Sequence, residues 1–397
     1  MKSVEGQLKI LTEKVAEILP ANSLREKLLI SQKEKRPLRV KLGADPTVPD
    51  LHLGHAVVLR KLKQFQNLGH KVVIIIGDFT AQIGDPSGRV KARPLLTKKE
   101  VLKNAKTYTD QLSQILDMSK TEVVFNGTWL EKLTLKEVIQ LTSSYSVSRM
   151  LEREDFKTRY KKGVEISIHE FLYPLLQGYD SVAIKADIET GGTDQKFNLL
   201  VGRDIQAAFD QPSQCCFLLP LLEGTDGKMK MSKTVKNYVA LTDSASEMFG
   251  KLMSIPDELI MKYFQLCTDL DERSITDFVK KLHPKDLKKK LAFEVVKIYY
   301  GAERAMEAES QFKAVFQEKK LPEKIKEFKI TQKGPVLLIQ VIENSGLAKS
   351  KGEAKRLILQ GGVRVDQKKI TDVNKKVQKN IILQVGPRRF IKITFKS

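Results

Sequence analysis

Cysteine is scarce in this chain. Cys215 and Cys216 are adjacent and Cys267 is remote, so three thiols so placed supply neither a disulfide framework nor a zinc knuckle. Long apolar runs are also missing: the densest, Val72–Ile76 and Cys215–Leu222, fall far short of the ~20 residues a membrane-spanning helix needs. The N-terminus, MKSVEGQLKILTEKVAEIL, has no secretory core, because Glu5, Glu13 and Glu17 interrupt it. It predicts instead an amphipathic helix with Leu8, Leu11, Val15 and Ile18 on one face. No internal repeat or low-complexity tract occurs. These absences lead to the expectation of a reduced, cytoplasmic, soluble protein that does not meet a membrane. Acid is in short supply as well. Asp and Glu number 48 against 69 Lys and Arg, a net charge of +21 over 397 residues, which predicts attraction to a polyanion, nucleic acid foremost. The remaining composition, 41% hydrophobic and 29% charged, is that of a folded globular protein, and the length suits two or three domains at ~150 residues each.

From Leu38 to about Val124 strand and helix patterns alternate. RVKLGADP (Arg39–Pro46) reads as a strand running into a turn, and a helix follows from about Leu53 to Leu68. KVVIIIGD (Lys71–Asp78) is β-branched with almost no polar interruption, as in a parallel strand buried on both faces. This alternation predicts an α/β fold with a Rossmann-like, doubly wound parallel sheet over residues 1–238, including an N-terminal helix and a helical insertion. TEVVFN (Thr121–Asn126) and SVAIKADIETGGTDQ (Ser181–Gln195) supply further strand patterns, the second ending in a glycine turn. Lysine-rich amphipathic helices predict an α-helical middle domain over 239–320. The charged residues 321–334 read as a linker, and 335–397 as a small α+β domain carrying 14 basic against 4 acidic residues.

Two constellations bear on chemistry. His52-Leu53-Gly54-His55 falls where a strand gives way to a helix, whose free N–H groups and partial positive charge suit a polyphosphate. Two neutral imidazoles there can donate hydrogen bonds to phosphate oxygens as charge builds on them. Downstream, Lys230-Met231-Ser232-Lys233-Thr234 predicts a loop able to close cations onto a leaving pyrophosphate. Taken singly, each also fits a blander reading: a surface histidine pair, or a solvated lysine loop. Between them Tyr173, Gln177 and Asp180 fall at i, i+4 and i+7, so they project from one helical stripe, which could also be a polar packing seam.

Together, in this order around an α/β domain, the two motifs resemble the HIGH and KMSKS signatures of the class I aminoacyl-tRNA synthetases. With Ile83-Gly84-Asp85-Pro86-Ser87-Gly88, the Tyr173/Gln177/Asp180 stripe and Gly191-Gly192-Thr193-Asp194-Gln195, the chain is similar to the bacterial tyrosyl-tRNA synthetase family. That resemblance implies a tyrosine–tRNA ligase with L-tyrosine, ATP and tRNA(Tyr) as substrates. It implies that Asp85, Tyr173 and Gln177 surround the tyrosine ammonium, with Thr80 as a further candidate, that Asp180 meets the phenol hydroxyl, and that Gln195 lies near the amino acid. His52, His55, Lys230, Lys233 and Thr234 become the catalytic candidates. Gly43, Asp45, Thr47, Gly54, Asp194 and Lys233 are assigned to ATP, and Arg89 and Arg93 to pyrophosphate. ATP is expected to arrive with Mg²⁺, with no protein-held metal site and no permanent cofactor. A homodimer is implied too, with its interface around residues 125–160.

The physics agrees with this specificity. A buried carboxylate at Asp180 would be left unpaired by phenylalanine, and tyrosine against phenylalanine is the reference case of such discrimination, about 10⁵ without editing. No large inserted editing domain is present. One departure concerns Lys41, which stands four residues before Asp45 where the better-known branch of the family has a tyrosine; Lys41 is therefore left out of the expected site. Leu53 in HLGH and Thr234 in KMSKT are smaller departures that preserve the chemistry. The C-terminal stretch SGLAKSKGEAKRLILQGGVRVDQKKI (Ser345–Ile370) resembles the S4 RNA-binding domain, implying tRNA contacts from Lys349, Lys351, Lys355, Arg356 and Arg364. Two other readings share these features: a tryptophan-specific relative, against which the stripe and the S4 tail weigh, and an RNA-binding paralogue without catalysis, against which the intact motifs weigh.

Overall fold

A computed structural model describes residues 2–46, 49–86, 97–316, 325–331, 334–386 and 389–395. Thr47, Arg89 and Arg93 lie outside the described residues. The chain divides into two compact units, residues 1–243 with 254–291, and residues 244–253 with 292–397. The helical stretch anticipated over 239–320 is thus shared between them.

The first unit is built on six strands: β1 (Glu17–Leu19), β2 (Arg39–Ala44), β3 (Lys71–Ile76), β4 (Thr121–Phe125), β5 (Ile188–Gly192) and β6 (Cys215–Leu219), in the order β1-β6-β5-β2-β3-β4. All neighbours run parallel except β1, which is antiparallel to β6. Val72–Ile76 are buried, as are all five residues of β6, because helices cover both faces of the sheet. From β2 the chain winds outward through β3 and β4, then returns to lay β5 on the other side of β2. That reversal makes the crevice beyond the C-terminal ends of β2 and β5 the place where such sheets take ligands.

The N-terminal expectation fails beyond its first turns. The helix runs only from Val4 to Leu11, and Ile18 lies in β1, opposite Phe217. Two tertiary terms override the helical pattern. Lys61 Nζ takes the carbonyls of Leu11 (3.0 Å) and Glu13 (2.7 Å), ending the helix, and Ala16 N–H donates to Leu218 C=O (2.9 Å), starting the edge strand. Ser181–Ala183, anticipated as the start of a strand, instead close the helix Ile168–Ala183.

The second unit contains the helices Ala245–Leu252 and Ala302–Phe316, with Phe249 and Phe312 rings 5.5 Å apart. It also contains β7 (Lys326–Ile330), β8 (Val336–Leu337), β9 (Val363–Val365), β10 (Lys368–Ile370), β11 (Lys376–Val377), β12 (Ile381–Val385) and β13 (Arg389–Phe395). Five form a sheet in the order β10-β9-β12-β13-β7, and β8 pairs with β11. Part of the anticipated linker is therefore structured: Lys326–Ile330 pair in parallel with β13. Helices Leu338–Asn344 and Lys351–Leu359 pack on a core that includes Val341, Ile342, Ile358, Leu383 and Ile393.

Candidate active site

The HLGH segment meets the lysine loop through the backbone. His52 is extended (φ −135°, ψ 171°) and immediately precedes the helix Leu53–Asn67. Leu53 N–H donates to Val239 C=O (3.0 Å), and Leu241 N–H to Leu51 C=O (2.9 Å), so the residues just after KMSKT are stitched antiparallel to those entering the helix. A Cβ at Gly54 would come 3.0 Å from the His52 ring and 3.6 Å from Met231, so glycine permits this approach. His52 N–H donates to His55 Nδ1 (3.2 Å), and the two rings lie 3.8 Å apart. Burial, followed by the charges of His55, Lys233 and Lys230, holds His52 well below the usual histidine range. Desolvation, then Lys233 and Lys230, lowers His55 in the same direction. Both are neutral imidazoles at pH 7, and His52 Nδ1 is a buried nitrogen without a hydrogen-bond partner.

The loop itself is pinned by buried Asn237, whose Oδ1 accepts from Ser232 N–H (2.8 Å) and whose Nδ2 donates to Asp226 Oδ2 (3.0 Å). Lys233 Nζ stands 3.2 Å from Asp50 Oδ2 and 5.8 Å from the Tyr238 ring centre, and Lys230 Nζ is 2.7 Å from Asp194 Oδ2. Thr234 is exposed. Gly43 lies exposed at the end of β2, with open space where a side chain would stand.

On the other side of the crevice the stripe residues join one polar network. Tyr173 Oη donates to Asp45 Oδ2 (3.0 Å), and Thr80 Oγ1 to Asp45 Oδ1 (2.8 Å). Asp45, expected with the nucleotide group, thus stands between two residues of the tyrosine group. A Cβ on Gly77 would fall 2.0 Å from Asp45 Oδ1, so only glycine lets that carboxylate cross the end of β3. Gln195 Nε2 donates to Asp85 Oδ2 (3.0 Å), and Asn198 Nδ2 to Gln195 Oε1 and Gln177 Oε1 (3.0 Å each). Asp180 is fully enclosed and accepts from Trp129 Nε1 (2.9 Å) and Asn126 Nδ2 (3.2 Å). Burial raises it to about 6, against the opposing influence of Lys41, Trp129 and Asn126. Tyr173, pushed well above the ordinary phenol value by burial and then by Asp45, remains a donor. Among the described residues no three His, Cys, Asp or Glu side chains converge as metal ligands would.

In the second unit the helix Lys351–Leu359 is capped by Ser350, whose hydroxyl accepts from Glu353 N–H (3.2 Å). Lys349, Lys351, Lys355, Arg356 and Arg364 are all exposed.

The family described as tRNA synthetases class I (W and Y) matches residues 32–317, and the S4 domain matches residues 337–380. The chain is 54% identical to the tyrosine–tRNA ligase of Carboxydothermus hydrogenoformans, over 99% of each chain, and 51% identical to that of Thermotoga maritima, over 98% of each. The chain belongs to the tyrosine–tRNA ligases. Among solved structures, the tyrosyl-tRNA synthetase of Archaeoglobus fulgidus complexed with L-tyrosine aligns at a TM-score of 0.62 and 21% identity, covering 77% of this chain and all of that one, a likeness of fold.

The candidate site also holds residues that sequence reasoning passed over. Arg153 is buried and reaches Asn198 Oδ1 (3.0 Å) and Asp85 Oδ1 (3.4 Å), so it braces the polar network from a distant helix start. Asn126 and Trp129 hold Asp180, and Asn237 holds the loop. Each is a polar or aromatic residue that no spacing rule singles out. Lys41 is the exception, since its break from the family pattern was visible. It does not face away from the stripe, but lies fully buried beneath it.

Proposed function

We propose that this ligase activates L-tyrosine by attack of its carboxylate on the α-phosphate of ATP, forming tyrosyl-adenylate and releasing pyrophosphate, and then passes the tyrosyl group to a ribose hydroxyl at the 3′ end of tRNA(Tyr). The observation that supports this most directly is the backbone stitching of His52 and Leu53 to Val239–Leu241, which brings both histidines and both loop lysines to the same end of the crevice. Neutral His52 and His55 donate N–H groups to phosphate oxygens, while Lys230 and Lys233 offset the charge that builds on the departing pyrophosphate. Gly43 leaves room for the nucleotide, Asp194 faces its ribose, and Mg²⁺ travels with ATP on the phosphates. Tyr173, Gln177, Asp85, Thr80 and Gln195 orient the ammonium, with Asp45 behind them, and Asp180 accepts from the phenol. No residue acts as a nucleophile; rate comes from positioning and charge.

The basic face of the C-terminal unit takes the tRNA backbone, and the reaction runs in the cytoplasm; no described helix is long and apolar enough to cross a membrane. The chain works as a homodimer in this reading. Leu135, Ile139 and Val147, within the stretch 125–160, leave large apolar side chains in solvent, as a surface covered by a second copy would.

The deciding experiment is ATP–pyrophosphate exchange with each of the twenty amino acids in the absence of tRNA. Exchange with tyrosine alone is expected. Exchange with tryptophan would transfer the specificity, and exchange with none would remove the activation step from this reading.

A further inference from the structure

Directly below the Tyr173–Asp180 stripe lies a buried charge pair. Lys41 on β2 and Glu189 on β5 are partners in the parallel register, their side chains are 0% and 1% exposed, and Lys41 Nζ is 2.9 Å from Glu189 Oε1. The other two Nζ protons have acceptors of their own, Ser181 Oγ (2.7 Å) and the Gln177 carbonyl (2.8 Å). All three ammonium donors are therefore used. Glu189 is equally well satisfied. Its Oε1 also accepts from Gln177 Nε2 (3.1 Å), and its Oε2 accepts from Ser181 Oγ (3.3 Å) and from Gln214 Nε2.

Every one of these bonds outside the pair itself, apart from that of Gln214, ends on the helical turn Gln177–Ser181. The pair grips that turn at its backbone, through the Gln177 carbonyl, and at two side chains. Asp180 lies within the turn, and among the groups around it Lys41 does most to favour its charged form. A buried ion pair contributes little net stability over an apolar replacement, so its presence here is better explained by what it orients.

We propose that the Lys41–Glu189 pair is the positioning clamp of the tyrosine pocket: it fixes the Gln177–Ser181 turn, and through it the placement of the Gln177 amide and the Asp180 carboxylate that sort tyrosine from phenylalanine. The proposal rests on the ligase reading of the site. Lys41 and Glu189 touch no substrate atom; they act through the groups they hold.

The test compares exchange kinetics for tyrosine and phenylalanine in the full-length parent, in Lys41→Met, and in the neutral double variant Lys41→Met/Glu189→Gln. The KM for tyrosine is expected to rise about tenfold in both variants, and the tyrosine-to-phenylalanine ratio of kcat/KM to fall by a similar factor, with kcat and the KM for ATP shifted far less. That split separates a displaced pocket from general damage, which would lower all parameters together. If Lys41→Met unfolds for want of a counter-charge to Glu189, the double variant, which leaves no lone buried charge, decides. A folded variant whose ratio stays within about twofold of the parent overturns the clamp, as does loss of kcat with the KM for tyrosine unmoved. Unfolding of both variants overturns it too, since the pair would then serve the fold rather than the pocket. A parent that shows no tyrosine-dependent exchange sinks the ligase reading itself, so the two failures are told apart.

Discussion

Lys230 Nζ and Asp194 Oδ2 stand 2.7 Å apart, so the first lysine of the loop is tied to the carboxylate just beyond β5. Their side chains are 46% and 23% exposed, and pairs so open to water are worth only ~0–1 kcal/mol. The phosphates of ATP present denser negative charge than one carboxylate, so Lys230 can be drawn onto them at little cost. Lys230→Ala is therefore expected to slow adenylate formation by ~10²–10³, with tyrosine affinity changed less than about twofold. Rapid-quench kinetics and equilibrium tyrosine binding on the same preparation measure the two quantities. A matching collapse of tyrosine affinity would remove Lys230 from the phosphate side.

Asp180 has a pH signature. Its carboxyl is raised from an ordinary 3.8 to about 6, mainly by burial, with Lys41 opposing that rise and Glu189 adding to it. Above that value the group is a carboxylate able to accept from a phenol; below it, it takes up a proton and that acceptor weakens. Tyrosine KM should therefore increase as pH falls through about 6 and stay level between 7 and 8. Asp180→Asn should bind tyrosine ~1–3 kcal/mol more weakly and lose the dependence around pH 6. A wild-type-like pH profile in the variant would assign the titration to another group.

Where local pattern and tertiary packing agree, the fold is readable in advance. The β-branched run Lys71–Ile76 and the helix after HLGH both form within a residue or two of their patterns. Val15 and Ile18 depart from their helical pattern because the carbonyl hold of Lys61 and pairing with β6 decide the backbone there, and both partners are more than forty residues away. The same limit applies in the site. Tyr173, Gln177 and Asp180 share one helix and could be grouped by spacing, whereas Arg153, Asn198, Trp129 and Glu189 reach them only through the folded chain. Lys41 stands out in the sequence as an anomaly, but its partner on β5 is visible only once β2 and β5 lie side by side.

His70 links pH to stability. It is buried, its Nδ1 accepts from Leu38 N–H (3.3 Å), and its Nε2 pairs with Gln7 Oε1 (2.8 Å), so the N-terminal helix, the start of β2 and the start of β3 meet on one neutral ring. Burial lowers it to about 4 from 6.5. Between those values the unfolded chain binds a proton that the folded chain excludes, so stability is full above pH 6.5 and drains away as pH falls toward 4. His70→Gln should be less stable at pH 7 yet lose up to ~3 kcal/mol less than the parent on acidification to pH 4. Urea midpoints at several pH values, parent against variant, cancel the shared contributions of the other histidines. Parallel curves would show that the proton binds elsewhere.

Lys351 and Lys355 stand one helical turn apart, both exposed, on the helix that Ser350 caps. Side chains four residues apart share a face, so both can reach one stretch of phosphate backbone. Each phosphate neutralised releases counterions and steepens the fall of affinity with salt by ~0.7–0.9 in log–log slope. Lys351→Ala/Lys355→Ala should therefore weaken tRNA(Tyr) binding and flatten that slope by about 1.5. Arg364→Ala, on the exposed side of β9, should remove a further single increment of ~0.7–0.9. Tyrosine-dependent exchange without tRNA does not call on these residues and serves as the control for folding. Filter binding of the tRNA across 50–300 mM salt gives the slopes. Weaker binding with an unchanged slope would mean that the two lysines shape the surface without touching phosphate, and would shift the contact to the remaining basic residues of the unit.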